Sequence, residues 1–237
     1  MESIVILAGG LGTRLRSIVS DRPKSMAPIN GMPFLEYQIQ YFKNQAFNNF
    51  VICSGYKYQY IINYFNNSYD DSIKIVHSKE DEPLGTGGAI KKTSNLLTDQ
   101  FFVINGDTIT QIQLHKMLQF HMEKNADITI ALARIENNSR YGSIITDEDN
   151  RVIDFVEKKE NANYFINAGV YLINKNSIDW DSLPIKFSLE KDVFSTMIQS
   201  KRIFGYETKG YFVDIGIPTD FQRFKNEISS LTWLKEF

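Results

Sequence analysis

A single cysteine, Cys53, in 237 residues leaves no internal disulfide and no cysteine-based zinc site. It lies in the apolar run Phe50-Val51-Ile52-Cys53, where the expected role is a small hydrophobe in the core. Histidine is scarce too: His77, His115 and His121 are the only three, and no two stand at the i, i+4 spacing of a helical metal pair. No convincing Ser/His/Asp or Cys/His arrangement is present, so covalent catalysis by an enzyme nucleophile finds no support. Apolar runs long enough to span a membrane are missing, and Met1 to Leu7 lacks the basic and apolar regions of a secretory leader; the expected location is the cytoplasm. Cations do not outnumber anions, at 26 Lys and Arg against 28 Asp and Glu. That balance argues against a nucleic-acid-binding or membrane-surface protein and leaves a small molecule as the expected partner. Repeats, linkers and low-complexity segments are absent.

What the chain does have is a glycine-rich turn behind a buried strand. Ile4 to Leu7 is an unbroken apolar run, the pattern of a parallel strand covered on both faces. Leu7 and Ala8 close it. Gly9, Gly10 and Gly12 then remove Cβ atoms where the backbone must turn and aim N–H groups at an anion. Thr13 and Arg14 follow, the arginine a planar, permanently charged fork suited to phosphoryl oxygens. Lys24, held after Pro23 in a segment unsuited to helix, adds a point charge. Two common phosphate motifs do not fit. A dinucleotide fingerprint needs a third glycine where Leu15 stands, which also disfavours an NAD-dependent enzyme, and a P-loop needs a terminal Gly-Lys-Ser/Thr. On spacing alone, a plain strand-to-helix turn with a surface arginine remains the competing reading.

The composition, 43% hydrophobic and 23% charged, suits an α/β domain with a sizeable core. A βαβ rhythm follows: a helix over 34–45, a strand over 50–53, a helix over 58–65 and a strand over 73–77. The stretch Pro83, Leu84, Gly85, Thr86, Gly87 then opens a helix expected over about 89–97, at the place where open α/β sheets bind ligands. Phe101 to Ile104 is a central strand followed at once by Asn105-Gly106-Asp107. A carboxylate just past a buried strand suits a hard cation such as Mg²⁺, with capping of a following helix as the alternative. Leu114, Met117, Leu118 and Met122 predict one apolar helix face, and 127–134 a strand. From Tyr141 and Gly142 onward, 143–156 reads as an antiparallel excursion. Asn167, before an apolar strand, is placed for a sugar hydroxyl, and Gly169 permits close approach. Ser188 begins a capped helix over 188–197. Asp214 repeats the device of Asp107, so two strands can clamp one ion, and Thr219 is expected to cap a last helix to about Leu231.

In order along the chain, GGLGTRL with its later Pro-Lys, PLGTGGAI, NGD, YG, FVEK, NAGVY and FVDIGIPTDF resemble the motifs of the sugar-1-phosphate nucleotidyltransferases. The branch they resemble most includes the D-glycero-α-D-manno-heptose-1-phosphate guanylyltransferases. Ser25 departs from the pattern, standing where many members carry a second proline. The resemblance implies a single Rossmann-like α/β fold of the GT-A kind. Its mixed, mostly parallel sheet would be flanked by helices, with residues 1 to about 110 the nucleotide half and the rest the sugar-phosphate half. The chain is too short for the added β-helix acyltransferase domain of some members. It implies a Mg²⁺-dependent transfer from a nucleoside triphosphate, here GTP, to a sugar 1-phosphate, here the heptose. Segment 83–87 would meet the base, Asn105, Gly106, Tyr141 and Gly142 would line the sugar side, Glu157 would bind sugar hydroxyls and Lys158 the sugar phosphate. Arg14, Lys24, Asp107, Lys158 and Asp214 would form the catalytic set. Alternatives are a mannose-1-phosphate guanylyltransferase, a thymidylyl-, uridylyl- or cytidylyltransferase of the same fold, or a non-catalytic nucleotide-sugar sensor. The expected assembly is a monomer or homodimer.

Overall fold

The computed structural model describes residues 2–15, 17–66, 72–135, 141–156 and 165–235. The first half runs β1 (Ser3–Leu7), a short hairpin of β2 (Pro28–Ile29) and β3 (Met32–Pro33), α1 (Phe34–Lys43), β4 (Asn49–Ser54), α2 (Gln59–Phe65), β5 (Lys74–Lys79), α3 (Gly85–Lys92) and β6 (Gln100–Asn105). The second half runs β7 (Thr108–Thr110), α4 (Leu114–Glu123), β8 (Ile128–Arg134), β9 (Ser143–Thr146), β10 (Val152–Val156) and β11 (Phe165–Asn174). A π-helix over Leu189–Phe194 leads into α5 (Ser195–Met197), then β12 (Ile203–Thr208), β13 (Phe212–Asp214), α6 (Pro218–Glu227) and α7 (Thr232–Lys235).

Nine strands form one mixed sheet in the order β10-β9-β11-β6-β1-β4-β5, with β8 paired to β11 and β12 to β8. β1 lies parallel between β4 and β6, and β5 extends the parallel set beyond β4, so four carboxyl ends open on one edge. β11 turns the sheet antiparallel, pairing with β6, β8 and β9. The expected excursion is the antiparallel β9–β10 hairpin. Strand alternation splits the core between the two faces: Ile4 and Ile6 join α1, α2, α4 and α6 on one, while Val5, Val51 and Val103 join α3 and the π-helix on the other.

Local chemistry moved several boundaries. α3 begins at Gly85, so its glycines lie inside the first turns rather than ahead of them. Ser188 caps as expected, its side chain accepting from Lys191 N–H at 3.2 Å, but the turns that follow are π before they are α. Thr219 is not the cap of α6: Ile217 is, because Pro218 takes the first helical position, where its missing N–H costs nothing. That helix stops at Glu227, short of Leu231. Met122 is 65% exposed, and the inward position next to it belongs to His121. No helix follows Asp107 for it to cap; the chain enters β7.

Candidate active site

The site forms where the parallel strands end. Ala8 N–H still bonds Cys53 O across β4 at 2.8 Å, after which the chain leaves the sheet through Gly9 to Gly12 into a tight turn over Thr13–Leu15. Gly12 has φ +56°, and a Cβ there would stand 2.9 Å from the Lys24 Cβ, so the loop can close over Lys24 only with glycine. Gly106 N–H bonds Leu7 O at 3.0 Å, which ties the Asp107 turn beneath the loop.

Lys24 is the centre of the electrostatics. Its Nζ lies 2.6 Å from Asp107 Oδ2 and 3.5 Å from Asp214 Oδ1, with its side chain only 11% exposed. The two aspartates meet because β13 pairs with β7 in a separate ribbon that sets Asp214 opposite Thr108, and because Ile215 N–H bonds Asp107 O at 3.0 Å. Gly216 N–H donates to Asp214 Oδ1 at 2.6 Å. Burial, and then the charge of Asp107, push the Asp214 carboxyl above its ordinary range against the pull of Lys24. Two carboxylates that share one cation in this way suit Mg²⁺, which takes one or two carboxylates and fills its remaining positions with water and phosphate oxygens. The ammonium of Lys24 bridges the two carboxylates. Among the described residues no group of three or more His, Cys, Asp or Glu forms a closed metal cage.

Two adjoining cavities open here. One of about 170 Å³ is lined by Ala8, Gly10, Gly12, Thr13, Arg14, Lys24 and Asp107. The other, about 290 Å³, is lined by Gly9, Glu80, Pro83, Gly85, Thr86 and Asn105, and Leu7 borders both. A larger groove of about 880 Å³ lies at the opposite end of the sheet, beside Thr98, Gln100 and Asn174, with no glycine loop.

Glu80 is the residue the sequence reading passed over. It sits just past β5, 8% exposed, with Oε2 accepting from Leu84 N–H at 3.2 Å and Oε1 so close to Gly9 that a Cβ there would lie 2.4 Å away. Burial raises its carboxyl above the ordinary value, opposed by the Leu84 N–H and Lys92. The available signal was its position past the carboxyl end of a strand, the same signal that marked Asp107.

The 83–87 segment borders the second cavity, but not all its backbone faces it. Gly87 and Gly88 N–H groups both donate to Phe187 O, at 3.1 and 3.3 Å, and Phe187 N–H returns a bond to Leu84 O at 3.0 Å. The Gly87 amide is therefore spent on a strap of chain that crosses α3, and Leu84 N–H on Glu80. Asn167 is likewise engaged internally: its Oδ1 accepts from Gly169 N–H at 2.9 Å and its Nδ2 donates to the Tyr171 hydroxyl at 2.8 Å. Tyr171 donates to Glu190, which also receives the hydroxyls of Thr86 and Ser188. Gly169, with φ +72°, packs against Asn105. Tyr141 stands edge-on to Phe212 with ring centroids 6.0 Å apart, and Gly142 lies near Val156 O. Glu157 and Lys158 lie outside the described residues. Cys53 is buried, its thiol 3.7 Å from Ala89 O, and burial drives its pKa far up, as befits a core residue. His115 and His121 are satisfied by Gln45 O and by Thr129 and Asn174.

A glycine loop, a buried lysine between two aspartates and an open parallel-sheet edge define an enzyme class that handles phosphorylated nucleotides. Residues 3–230 match the model of the Nucleotidyl transferase family, and the chain belongs to it. It is 44% identical over 229 residues to a D-glycero-alpha-D-manno-heptose 1-phosphate guanylyltransferase of Aneurinibacillus thermoaerophilus, covering 96% of this chain and 98% of that protein. Identity to the protein of the same name from Campylobacter jejuni is 42%, over 93% of this chain and 97% of that one. The crystal structure of HddC from Yersinia pseudotuberculosis complexed with GMP-PN superposes with a TM-score of 0.85 at 37% identity, covering 96% of this chain and all of that one.

Proposed function

We propose that the chain transfers a guanylyl group from GTP to D-glycero-α-D-manno-heptose 1-phosphate, releasing pyrophosphate and forming the GDP-heptose used for surface polysaccharide. It would work in the cytoplasm with Mg²⁺, as a monomer or homodimer, with residues 1 to about 110 holding the nucleotide and the rest the sugar phosphate. The observation that carries the reaction class is Lys24 bound to Asp107 and Asp214 directly beneath the Gly9–Thr13 loop. Glu80 favours guanine. Guanine presents two adjacent donors, N1–H and N2–H, and a fixed carboxylate accepts from both, whereas adenine, cytosine and uracil each offer an acceptor there. The sugar assignment is supported by two relatives, at 44% and 42% identity, that are D-glycero-alpha-D-manno-heptose 1-phosphate guanylyltransferases.

In the transfer, an oxygen of the sugar phosphate attacks the α-phosphorus of GTP, and the bond from that phosphorus to the pyrophosphate oxygen breaks. Two polyanions must approach, so charge neutralisation and in-line positioning are the protein's task. Amides of the Gly9–Thr13 loop and the exposed Arg14 guanidinium face the triphosphate and the departing pyrophosphate. Lys24 lies at the floor of the same cavity, where its ammonium can pass from the aspartates to phosphate oxygens. A bound Mg²⁺, held by Asp107 and Asp214, would supply further neutralisation of those oxygens. The resemblance assigns Lys158 to the sugar phosphate and Glu157 to sugar hydroxyls, while Asn167 acts through its bonds to Gly169 and Tyr171.

Pyrophosphate release tests the proposal. Each nucleoside triphosphate is offered with heptose, mannose, glucose and N-acetylglucosamine 1-phosphates, and release is expected with GTP and the heptose phosphate. A different active pair would overturn the substrate assignment, and silence in every pair from folded protein would favour a nucleotide-sugar sensor. Lys24→Ala and Asp107→Asn are each expected to lower turnover on the order of 10²- to 10³-fold with the circular dichroism spectrum retained.

A further inference from the structure

Gln38 lies on the buried face of α1, 2% exposed and away from both cavities of the site. Its Nε2 donates to Asn105 O at 2.8 Å and to Thr108 O at 2.6 Å, the two carbonyls that bracket Gly106 and Asp107. Because both partners are acceptors, the amide nitrogen must stand at that end. The consequence is at the other end: Gln38 Oε1 is buried with no hydrogen-bond partner among the described residues. A buried acceptor left unpaired is a standing cost to folding, and an apolar side chain of similar volume would avoid it. The rest of the turn is fixed through backbone bonds, Gly106 N–H to Leu7 O and Ile215 N–H to Asp107 O, together with Thr108 Oγ1 on Asn105 O at 3.3 Å. Gln38 thus adds a side-chain clamp from the helix layer across both ends of a four-residue turn that presents the Asp107 carboxylate to the site.

We propose that Gln38 is a positioning residue that holds the Asp107 turn so that its carboxylate faces Asp214, and so sets the affinity of the pair for a divalent cation. The inference rests on Asp107 and Asp214 being the cation ligands, as proposed above. Partners that orient a metal ligand commonly change metal affinity by about 10- to 100-fold when removed.

Mn²⁺ is the probe, titrated in the presence of a non-hydrolysable GTP analogue and followed by water-proton relaxation, with thermal melting measured on the same samples. Gln38→Met keeps the volume, removes both donors and removes the unpaired carbonyl. Its apparent Mn²⁺ affinity is expected to fall roughly tenfold or more, while its melting temperature stays within about 4 °C of the wild type. Mn²⁺ affinity within about twofold of wild type, at any melting temperature, would overturn the inference and leave Gln38 a structural residue. Should the methionine variant not fold, Gln38→Glu preserves the shape but presents a carboxylate to two carbonyls, and the same loss of Mn²⁺ affinity is expected of it. Wild type and Asp107→Asn binding Mn²⁺ equally would instead overturn the ligand assignment, a pattern distinct from a wild-type-like Gln38→Met beside a defective Asp107→Asn.

Discussion

A carboxylate buried beside a glycine turn lowers stability unless it is neutralised, and among the described residues Glu80 is helped by the Leu84 N–H and the more distant Lys92. Its folded-state pKa is raised above the ordinary 4.5, so the folded protein holds this proton more tightly than the unfolded chain. Stability therefore falls as pH rises through that window and stays lower at neutral pH. Glu80→Gln is expected to melt higher than wild type at pH 7, with the difference closing as pH falls toward 4.5. It should also lose one charge-assisted bond to guanine, about 2 kcal/mol, or roughly 30-fold in kcat/KM for GTP. A variant that keeps full GTP activity would remove Glu80 from base recognition. Asp107 and Asp214 were legible in sequence because each ends an apolar strand, where a charge has no packing reason to be, and Lys24 because it follows Pro23 in a motif of the family the chain resembles. Glu80 stood in a run of charges, Lys79-Glu80-Asp81-Glu82, and only burial separates it from its neighbours. Gln38 sat in a helix whose neighbours Phe34, Tyr37 and Tyr41 define the inward face, yet polarity made it look solvent-bound.

At the scale of elements, the glycines of α3 are explained by what crosses them. Gly85 has φ +76°, and a Cβ there would stand 2.3 Å from Phe187 O, while the Phe187 ring fills the space beside Gly87. The family resemblance offered the nucleobase as the reason for glycine, since the strap lies about a hundred residues further along the chain and leaves no local mark. Gly85→Ala must accept both a left-handed backbone and a backbone clash, and is expected to cost about 2 kcal/mol or more. Gly10→Ala has open space around the new methyl and should stay within about 0.5 kcal/mol. Urea midpoints measure both, and equal shifts would mean the strap yields easily. The same strap carries Glu190, whose bonds to Thr86 and Tyr171 tie the nucleotide-side helix to β11. The βαβ half was readable from its period, whereas β12 and the π-helix were not. β12 has Gly205 in its middle and polar Glu207 and Thr208 at its end, so it shows no apolar run, and the wider turns of a π-helix do not show in a periodicity already blurred by polar positions.

At the scale of the whole molecule, the parallel and antiparallel parts of the sheet meet at β6, which pairs with β1 on one side and β11 on the other. Asp107 follows β6 directly, so the carboxylate stands where the two parts join. The two cores on the faces of that sheet draw on alternate residues of the same strands, Phe102 and Ile104 against Phe101 and Val103. Neither face can lose its packing while the strands keep theirs, so the two faces should unfold together. The two tryptophans make this measurable, because Trp180 packs near Phe101 on one face and Trp233 against Tyr41 on the other. Trp180→Phe and Trp233→Phe each leave a single reporter, and their fluorescence midpoints, each compared with circular dichroism of the same variant, should coincide within about 2 °C. GTP with Mg²⁺ at about a hundred times its dissociation constant adds roughly 2.7 kcal/mol by mass action, which for a chain of this size raises melting by about 5 to 10 °C. Both reporters should move by that amount, although the nucleotide touches neither tryptophan. A shift confined to one reporter would mean that the two faces of the sheet unfold separately.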